Sequence, residues 1–170
     1  MDRNGDKQTT NRRFALLTTR KYSIKGGRVV VLLNGRFAGR KAIVVKTYSG
    51  PKEGEKEHKG FEHALVAGID RYPRKVTRSM KEDRIKKRSQ IKPFVKHINL
   101  NHIMPTRYQL SDMDLKKVVG EFEKRIRDGD SKDACKAVKK VFEDRYRKQG
   151  ESKSAKNVDG AKYFFKKLRF

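Results

Sequence analysis

Short apolar runs separated by glycine and polar turns occupy the chain from residue 25 to about residue 110. Two of them, Val29–Leu33 and Ala42–Val45, are rich in β-branched residues and predict buried strands. Asn34 and Gly35 accept a positive φ easily, so the segment between these runs predicts a hairpin-type connection. The other predicted strands are Phe61–Ala67, a shorter one at Val76-Thr77, and Ile91–Ile98 on a sheet edge because of Pro93. Four or five short strands that close on themselves form a small barrel.

Beyond Ser111 the apolar residues follow a helical period. One predicted helix has Asp112 as its N-cap and carries the apolar residues Leu115, Val118, Val119, Phe122 and Ile126. Because Gly120 disfavours a helix, the alternative is a helix that begins only near Glu121. A second begins at Asp130 or Ser131, stops at Gly150, and carries the stripe Ala134, Val138, Val141, Phe142, Arg145 and Tyr146. Residues 81–90 are polar with helical character, and residues 151–160 resemble a linker.

This pattern predicts an α+β protein in three parts. Residues 1–24 form a basic, disordered extension. Residues 25–110 form a small β-barrel with basic loops. Residues 111–170 form a helical region that ends in an aromatic and basic tail.

Charge narrows the possible partners. The chain of 170 residues has 45 Lys and Arg against 20 Asp and Glu, a net charge of +25. A polyanion relieves the self-repulsion, because Lys and Arg displace counterions from phosphates. Between Lys7 and Lys52 there is no acidic residue, which is typical of a phosphate-contacting surface. A membrane surface is disfavoured, because no strongly amphipathic basic helix near a terminus is evident and no run approaches the roughly 20 apolar residues of a spanning helix.

Residue patterns that carry catalysis are not found in the sequence. The histidines His58, His63, His97 and His102 lack metal-ligand spacing, and Cys135 is the single cysteine. No phosphate-cradling loop, dinucleotide fingerprint or nucleophile elbow occurs. We therefore expect a non-enzymatic protein with no cofactor, no metal site and no small-molecule substrate.

Two segments predict contacts with nucleic acid. The hairpin carries Arg36, Arg40 and Lys41 at its tip, around two glycines. Phe37 either stacks on an unpaired base or packs at the barrel edge. The segment from Arg71 to Lys92 is strongly basic, and within it Lys86–Arg88 serves phosphate binding, nuclear import or both.

The hairpin segment KGGRVVVLLNGRFAGRK (residues 25–41) resembles a KOW motif, in which a strand, a glycine-anchored loop and a second strand belong to an SH3-like barrel. The sequel HALVAGIDRYPRKVT (residues 63–77) is more specific. Further motifs that carry the same resemblance are KRS (residues 87–89), IKPFVK (91–96), NH (101–102), MPTRY (104–108) and the final FFKKLRF (164–170). The chain from about Lys25 to Phe170 resembles the eukaryotic large-subunit ribosomal protein family number twenty-seven. Residues 1–24 fall outside the resemblance, and the loop at 51–60 is long for the family. Residues 111–160 share the family's basic helical character, but they match the family weakly when compared residue by residue.

The resemblance implies a structural constituent of the large ribosomal subunit that binds and stabilises folded rRNA by charge neutralisation, chiefly through shape and 2′-hydroxyl contacts. Its partners would be large-subunit rRNA and neighbouring ribosomal proteins, with no membrane. Its location would be the cytoplasmic ribosome, after nuclear and nucleolar passage. The expected RNA-binding residues are Lys25, Arg28, Arg36, Arg40, Lys41, Arg71, Arg74, Lys75, Arg78, Lys86, Lys87, Arg88, Lys92, Lys96, Arg107, Lys166, Lys167 and Arg169.

The alternative function is a KOW-containing transcription elongation or RNA-processing factor, which usually has more domains and a more balanced charge. A nucleic-acid-modifying enzyme is a third possibility, and it lacks a catalytic constellation here. The tail also has two interpretations. Its apolar residues Phe164, Phe165, Leu168 and Phe170 either dock on this chain's own barrel and close its core, or the aromatic ones anchor in a pocket of the assembled particle.

Overall fold

A computed structural model describes residues 24–48, 61–148 and 155–169. The expected N-terminal extension (apart from Ile24), the 51–60 loop and the helix stop at Gly150 lie outside the described residues. The elements in chain order are β1 (Arg28–Leu32), β2 (Lys41–Tyr48), β3 (His63–Arg71), α1 (Glu82–Arg88), β4 (Lys92–Asn99), a 3₁₀ turn (Leu100–His102), β5 (Ile103–Gln109), α2 (Leu115–Gly120), α3 (Glu123–Arg127), α4 (Lys132–Arg147) and α5 (Ala155–Phe165).

The strands form one antiparallel sheet in the order β4-β3-β2-β1-β5. Four strands agree with the apolar runs, and β4 lies on a sheet edge as Pro93 predicts. Within the described residues the end strands β4 and β5 share no ladder, so the prediction of a closed barrel is wrong. The predicted strand at Val76-Thr77 is also wrong, because these residues lie in an irregular segment.

Both faces of the sheet are covered, which explains why the strands have continuous apolar runs rather than alternating ones. Val29 and Ile43 point into the larger core, which the helices α2–α5 complete. Val30, Val44 and Phe94 point into a smaller core on the opposite face. Successive side chains of a strand alternate between faces, so neighbouring residues supply both cores.

The helical prediction is confirmed for α4 and corrected for the region before it. Ala134, Val138, Phe142 and Arg145 are the buried residues of α4, as the predicted stripe requires. The preceding helix is divided into α2 and α3, and α2 has Asp114 rather than Asp112 at its N-cap position.

Asp112 instead connects the C-terminal helices. Its Oδ2 lies 3.3 Å from Nη2 of Arg145 in α4, and its Oδ1 accepts a hydrogen bond from the side-chain amide of Asn157 in α5. The carboxylate therefore ties both helices to the segment that follows β5.

The sequence predicts a linker through residue 160. This prediction is wrong for residues 155–160, which form the first part of helix α5. The helix lies against β5, and its Ala161, Phe164 and Phe165 are buried. A Cβ at Gly160 would lie 2.7 Å from the carbonyl oxygen of Gln109, so only glycine permits this close approach.

Candidate nucleic-acid interface

The expected RNA-binding residues differ in how far they reach the surface. Arg28, Arg40 and Arg88 are half-buried, and Lys41 is buried. Fourteen are exposed: Lys25, Arg36, Arg71, Arg74, Lys75, Arg78, Lys86, Lys87, Lys92, Lys96, Arg107, Lys166, Lys167 and Arg169. An exposed lysine or arginine keeps its charged end available to a phosphate, so these fourteen form the candidate interface.

The segment from Arg71 to Arg88, which we call the basic loop, is folded back on itself. The backbone N–H of Arg74 donates to the carbonyl of Arg88 at 2.8 Å, and Nε of Arg88 donates to the carbonyl of Lys75 at 2.9 Å. These bonds hold the start of the basic loop against the C-terminal end of α1. Arg88 is half-buried because its side chain closes the loop.

Two further basic residues, Lys81 and Arg84, belong to the same surface although they are not among the expected RNA contacts. Both are exposed, and they line a shallow depression together with Lys87. Arg84 and Lys87 are three residues apart on α1, which places them side by side on one helix face. That spacing is the signal in the sequence that identifies Arg84.

Asp70, at the end of β3, neutralises part of the positive charge. Its carboxylate lies 3.7 Å from Nη2 of Arg40 and 3.1 Å from Nζ of Lys92. Surface ion pairs of this kind contribute only about 0.2–1 kcal/mol. The side chain of Lys92 is 55% exposed, so a phosphate can replace Asp70 as its partner.

Glycines shape the hairpin between β1 and β2. Gly35 and Gly39 have φ values of 80° and 72°, which side chains larger than hydrogen rarely tolerate. The N–H of Gly39 donates to the carbonyl of Leu32 at 2.8 Å and closes the turn. Arg36 is exposed at the tip, as predicted.

Phe37, next to Arg36, is half-buried and packs against the smaller core. Its ring stacks on Phe94 with the centroids 4.0 Å apart and the planes 3° from parallel. The guanidinium of Arg36 lies 5.5 Å from the ring centre of Phe37. The geometry therefore corresponds to edge packing, not to a free platform for an RNA base.

Lys41 is not exposed at the hairpin tip, and that part of the prediction is wrong. Its side chain is 1% exposed, and its Nζ donates to the carbonyls of Tyr163 and Lys166, each at 2.5 Å. Burial, and secondarily the charge of Lys166, lowers the pKa of Lys41 to about 8. A cation beside the last carbonyls of a helix complements the helix dipole, so Lys41 serves the end of α5 and leaves the candidate interface.

Arg28 also has an internal partner. Its Nη1 donates to the carbonyl of Thr106 at 3.3 Å, and the hydroxyl of Thr106 donates to the carbonyl of Val29 at 2.6 Å. The two bonds join β1 and β5 where their register shifts. Arg28 is therefore first a structural residue of the sheet.

The tail divides into a buried and an exposed part. Phe164 is fully buried and Phe165 is 4% exposed, and both rings meet Phe142 edge-on in the larger core. Docking on the chain's own core is therefore the interpretation confirmed for these two residues, while Phe170 lies outside the described residues. Lys166, Lys167 and Arg169 remain exposed.

Arg107 is exposed close to α5. Its Nη2 donates to the hydroxyl of Tyr108 at 3.1 Å, and the ring of Tyr108 stacks on Tyr163 with the centroids 4.2 Å apart. These contacts place Arg107 on the same side of the molecule as the end of α5.

Neither a metal cluster nor a spanning helix occurs in the part of the chain that the structure describes. Over residues 24–48, 61–148 and 155–169, no group of three or more His, Cys, Asp or Glu side chains is placed to hold a metal ion. Over the same residues, no helix has the length and apolar character needed to cross a membrane.

Comparison with known proteins gives consistent matches over most of the chain. A model of the ribosomal L27e protein family matches residues 29–170. The large ribosomal subunit protein eL27 of Tetrahymena thermophila is 47% identical over 149 residues, which covers 86% of this chain and 97% of that protein. The large ribosomal subunit protein eL27B of Saccharomyces cerevisiae is 44% identical over 147 residues, with 86% and 97% covered. The large ribosomal subunit protein eL27 of Dictyostelium discoideum is 44% identical over 153 residues, with 86% and 96% covered.

Proposed function

The chain belongs to the ribosomal L27e protein family, and we propose that it is a structural constituent of the large ribosomal subunit. The observation that carries this proposal is the 47% identity across 97% of a relative whose name places it in that subunit. The identity covers nearly the whole relative, so it is not confined to one module that unrelated proteins share.

The same extent of similarity disfavours an elongation or RNA-processing factor. Such a factor would share chiefly the hairpin segment, whereas the family model matches residues 29–170. We propose that residues 25–41 are the KOW motif of an open, SH3-like sheet. Support comes from Gly35 and Gly39, both at positive φ, between two paired strands.

The proposed mechanism is charge neutralisation of folded rRNA. Segments of rRNA repel one another until cations bridge them, and each phosphate contact releases roughly 0.7–0.9 counterions. The fourteen exposed residues, together with Lys81 and Arg84, supply the cations. The sheet and helices hold these cations on a folded scaffold. Binding therefore costs this protein less conformational entropy than it would cost a flexible basic chain. This mechanism needs no catalytic group.

Several finer points belong to the same proposal. Residues 1–24, 25–110 and 111–170 are an extension, a sheet domain and a helical region. The partners are large-subunit rRNA and neighbouring ribosomal proteins. The chain acts in cytoplasmic ribosomes after passage through the nucleolus, with Lys86–Arg88 serving import and the exposed Lys86 and Lys87 also contacting RNA.

Sedimentation tests the proposed function directly. An affinity-tagged chain expressed in cells should sediment with large subunits and whole ribosomes in a sucrose gradient. It should also remain in the particle through a moderate-salt wash that leaves core proteins in place. A chain found mainly as free protein, or stripped by that wash, would contradict the proposal.

A further inference from the structure

A groove of about 680 Å³ lies between the basic loop with α1 on one side and α4 on the other. Val76 and Ile85 give it an apolar part, and both are half-buried. Lys86 and Arg147 also line it and are exposed. The groove therefore combines an apolar part with polar side chains and carries positive charge at Lys86 and Arg147.

The α4 wall of the groove presents an aromatic ring and a carboxylate. Tyr146 is half-buried, and its ring is fixed by edge-on contact with Phe165, with the centroids 5.3 Å apart. Glu143 is held by the backbone N–H of Ile91, which donates to its Oε1 at 3.5 Å, and by Nζ of Lys139 at 3.8 Å. Both groups are thus positioned before any ligand binds.

These groups match the parts of a single nucleotide. A carboxylate repels phosphate but accepts hydrogen bonds from the N–H groups of a base. An aromatic ring beside aliphatic side chains suits the flat face of a base. Exposed lysine and arginine suit the phosphates on either side. In an RNA duplex the base edges and faces are already paired and stacked, so only an unpaired base can enter.

We propose that the α1–α4 groove binds one unpaired RNA nucleotide. The base lies against Tyr146 and Glu143, and the flanking phosphates contact Lys86 and Arg147. The inference rests on the proposed function, because it takes RNA as the partner, and it goes further by naming the form of RNA and its site.

A charge-reversal experiment tests the site. The full-length chain is titrated with a labelled single-stranded octamer of cytidine and with an RNA duplex of the same length. The variant Lys86→Glu/Arg147→Glu is compared with Lys132→Glu/Lys140→Glu, which makes the same charge change at two exposed residues of α4 outside the groove. The groove variant should lose at least tenfold more affinity for the single strand than the control does. Its loss for the single strand should also exceed its own loss for the duplex, which reflects the phosphate contacts of Lys86 as part of the candidate interface. Equal losses for the single strand would overturn the proposal.

Base recognition gives a second readout. Cytosine offers an amino donor to Glu143, and uracil offers a carbonyl at the same position. The parent chain should therefore prefer the cytidine octamer to a uridine octamer, and Glu143→Gln, which keeps the acceptor for Ile91, should reduce that preference. Tyr146→Leu should weaken binding of both octamers roughly 5- to 150-fold, the range for losing one stacked base. An unchanged preference in Glu143→Gln would count against the assignment.

The assembled particle distinguishes RNA from protein as the occupant. A photo-cross-linking residue introduced at the exposed groove position Gln90 should form adducts with rRNA in purified large subunits. Adducts with a neighbouring protein alone would overturn the groove assignment. The proposed function would survive that result, because the chain would still sediment with the large subunit.

Discussion

The ammonium of Lys41 lies 3.8 Å from the centre of the Tyr163 ring and donates a hydrogen bond to the carbonyl of the same residue. This interaction joins the first residue of β2 to the last turn of α5. The backbone N–H of Lys41 also donates to the hydroxyl of Tyr72 at 2.9 Å. One buried lysine therefore connects the beginning of the basic loop with the end of α5, from which the basic tail continues.

Replacing Lys41 with methionine tests this connection. Lys41→Met keeps the aliphatic stem and removes the hydrogen bonds to the carbonyls of Tyr163 and Lys166. Hydrogen bonds from a charged group contribute about 1.5–3 kcal/mol, and removing the buried charge offsets part of that loss. We expect the free energy of unfolding in urea to fall by about 1–3 kcal/mol. As a control, Lys92→Met removes a surface ion pair and should cost about 0–1 kcal/mol. Similar losses in the two variants would show that Lys41 has no special role.

Gly160 permits the close packing of α5 on β5, and a methyl group there should separate them. The added Cβ would lie 2.7 Å from the carbonyl oxygen of Gln109 and 3.3 Å from Cδ2 of Leu110. Forcing an extra methyl into such a tight space costs about 1–3 kcal/mol, so Gly160→Ala should lower the melting temperature. At Gly120 no described atom outside its own helix lies within 4 Å of the new Cβ, and Gly120→Ala should stabilise the helix by up to about 1 kcal/mol. Changes of the same sign in both variants would contradict this explanation.

The sequence predicts the parts of the fold that depend on local apolar pattern. The run Val29–Leu33 corresponds to β1, and the stripe from Ala134 corresponds to α4, because burial requires that spacing in each element. The pattern does not predict β5 (Ile103–Gln109) as a separate strand. This strand contains Pro105, and it is held by distant pairing with β1 across a register shift.

The features that the sequence predicts wrongly depend on long-range contacts. Gly160 makes the start of α5 resemble a linker, yet glycine is required there because of Gln109, which is distant in sequence. Lys41 resembles an exposed RNA-binding residue because its partners, Tyr163 and Lys166, are 122 and 125 residues away. Within the candidate interface, the sequence identifies the exposed cations but cannot show which of them already have internal partners.

Because of the hydrogen bond between Tyr48 and Glu123, the free energy of unfolding should vary with pH in the acidic range. The hydroxyl of Tyr48 donates to the carboxylate of Glu123, and Nζ of Lys46 lies 3.2 Å from the same carboxylate. Burial alone would raise the pKa of Glu123, but these hydrogen bonds outweigh it and lower the pKa. A carboxyl group with a lowered folded-state pKa stabilises the fold above its unfolded pKa, and this stability disappears as pH falls through the folded pKa.

The variant Tyr48→Phe measures that contribution. At pH 7 we expect it to reduce the free energy of unfolding by about 1 kcal/mol, the usual contribution of one hydrogen bond. The difference from the parent chain should shrink as pH falls from the unfolded pKa of about 4.3 through the lowered folded-state pKa of Glu123, below which the carboxyl group is protonated in both states. Urea denaturation at several pH values gives the comparison. A difference that stays constant from about pH 7 down to about pH 3 would mean that the charge of Glu123 is not involved.

The tail should separate into one part that stabilises the fold and one part that binds RNA. Phe164 is fully buried beside Phe142, so Phe164→Ala should cost about 3–5 kcal/mol of stability. The triple variant Lys166→Gln/Lys167→Gln/Arg169→Gln changes only exposed side chains and should leave the melting temperature nearly unchanged. Its RNA affinity should depend less steeply on salt, because each phosphate that a cation no longer neutralises reduces the log–log slope by roughly 0.7–0.9.

A matched control makes this separation strict. Lys124→Gln/Lys132→Gln/Lys140→Gln removes the same charge from exposed residues of α3 and α4. If the tail residues bind phosphate directly, the slope of log affinity against log salt concentration should fall in magnitude by roughly two to three in the tail variant. The same slope should fall much less in the control. Equal reductions would mean that the tail contributes only to the overall charge of the protein. A clear fall in the melting temperature of the tail triple variant would show that these residues also support the core, because the buried phenylalanines are unchanged in it.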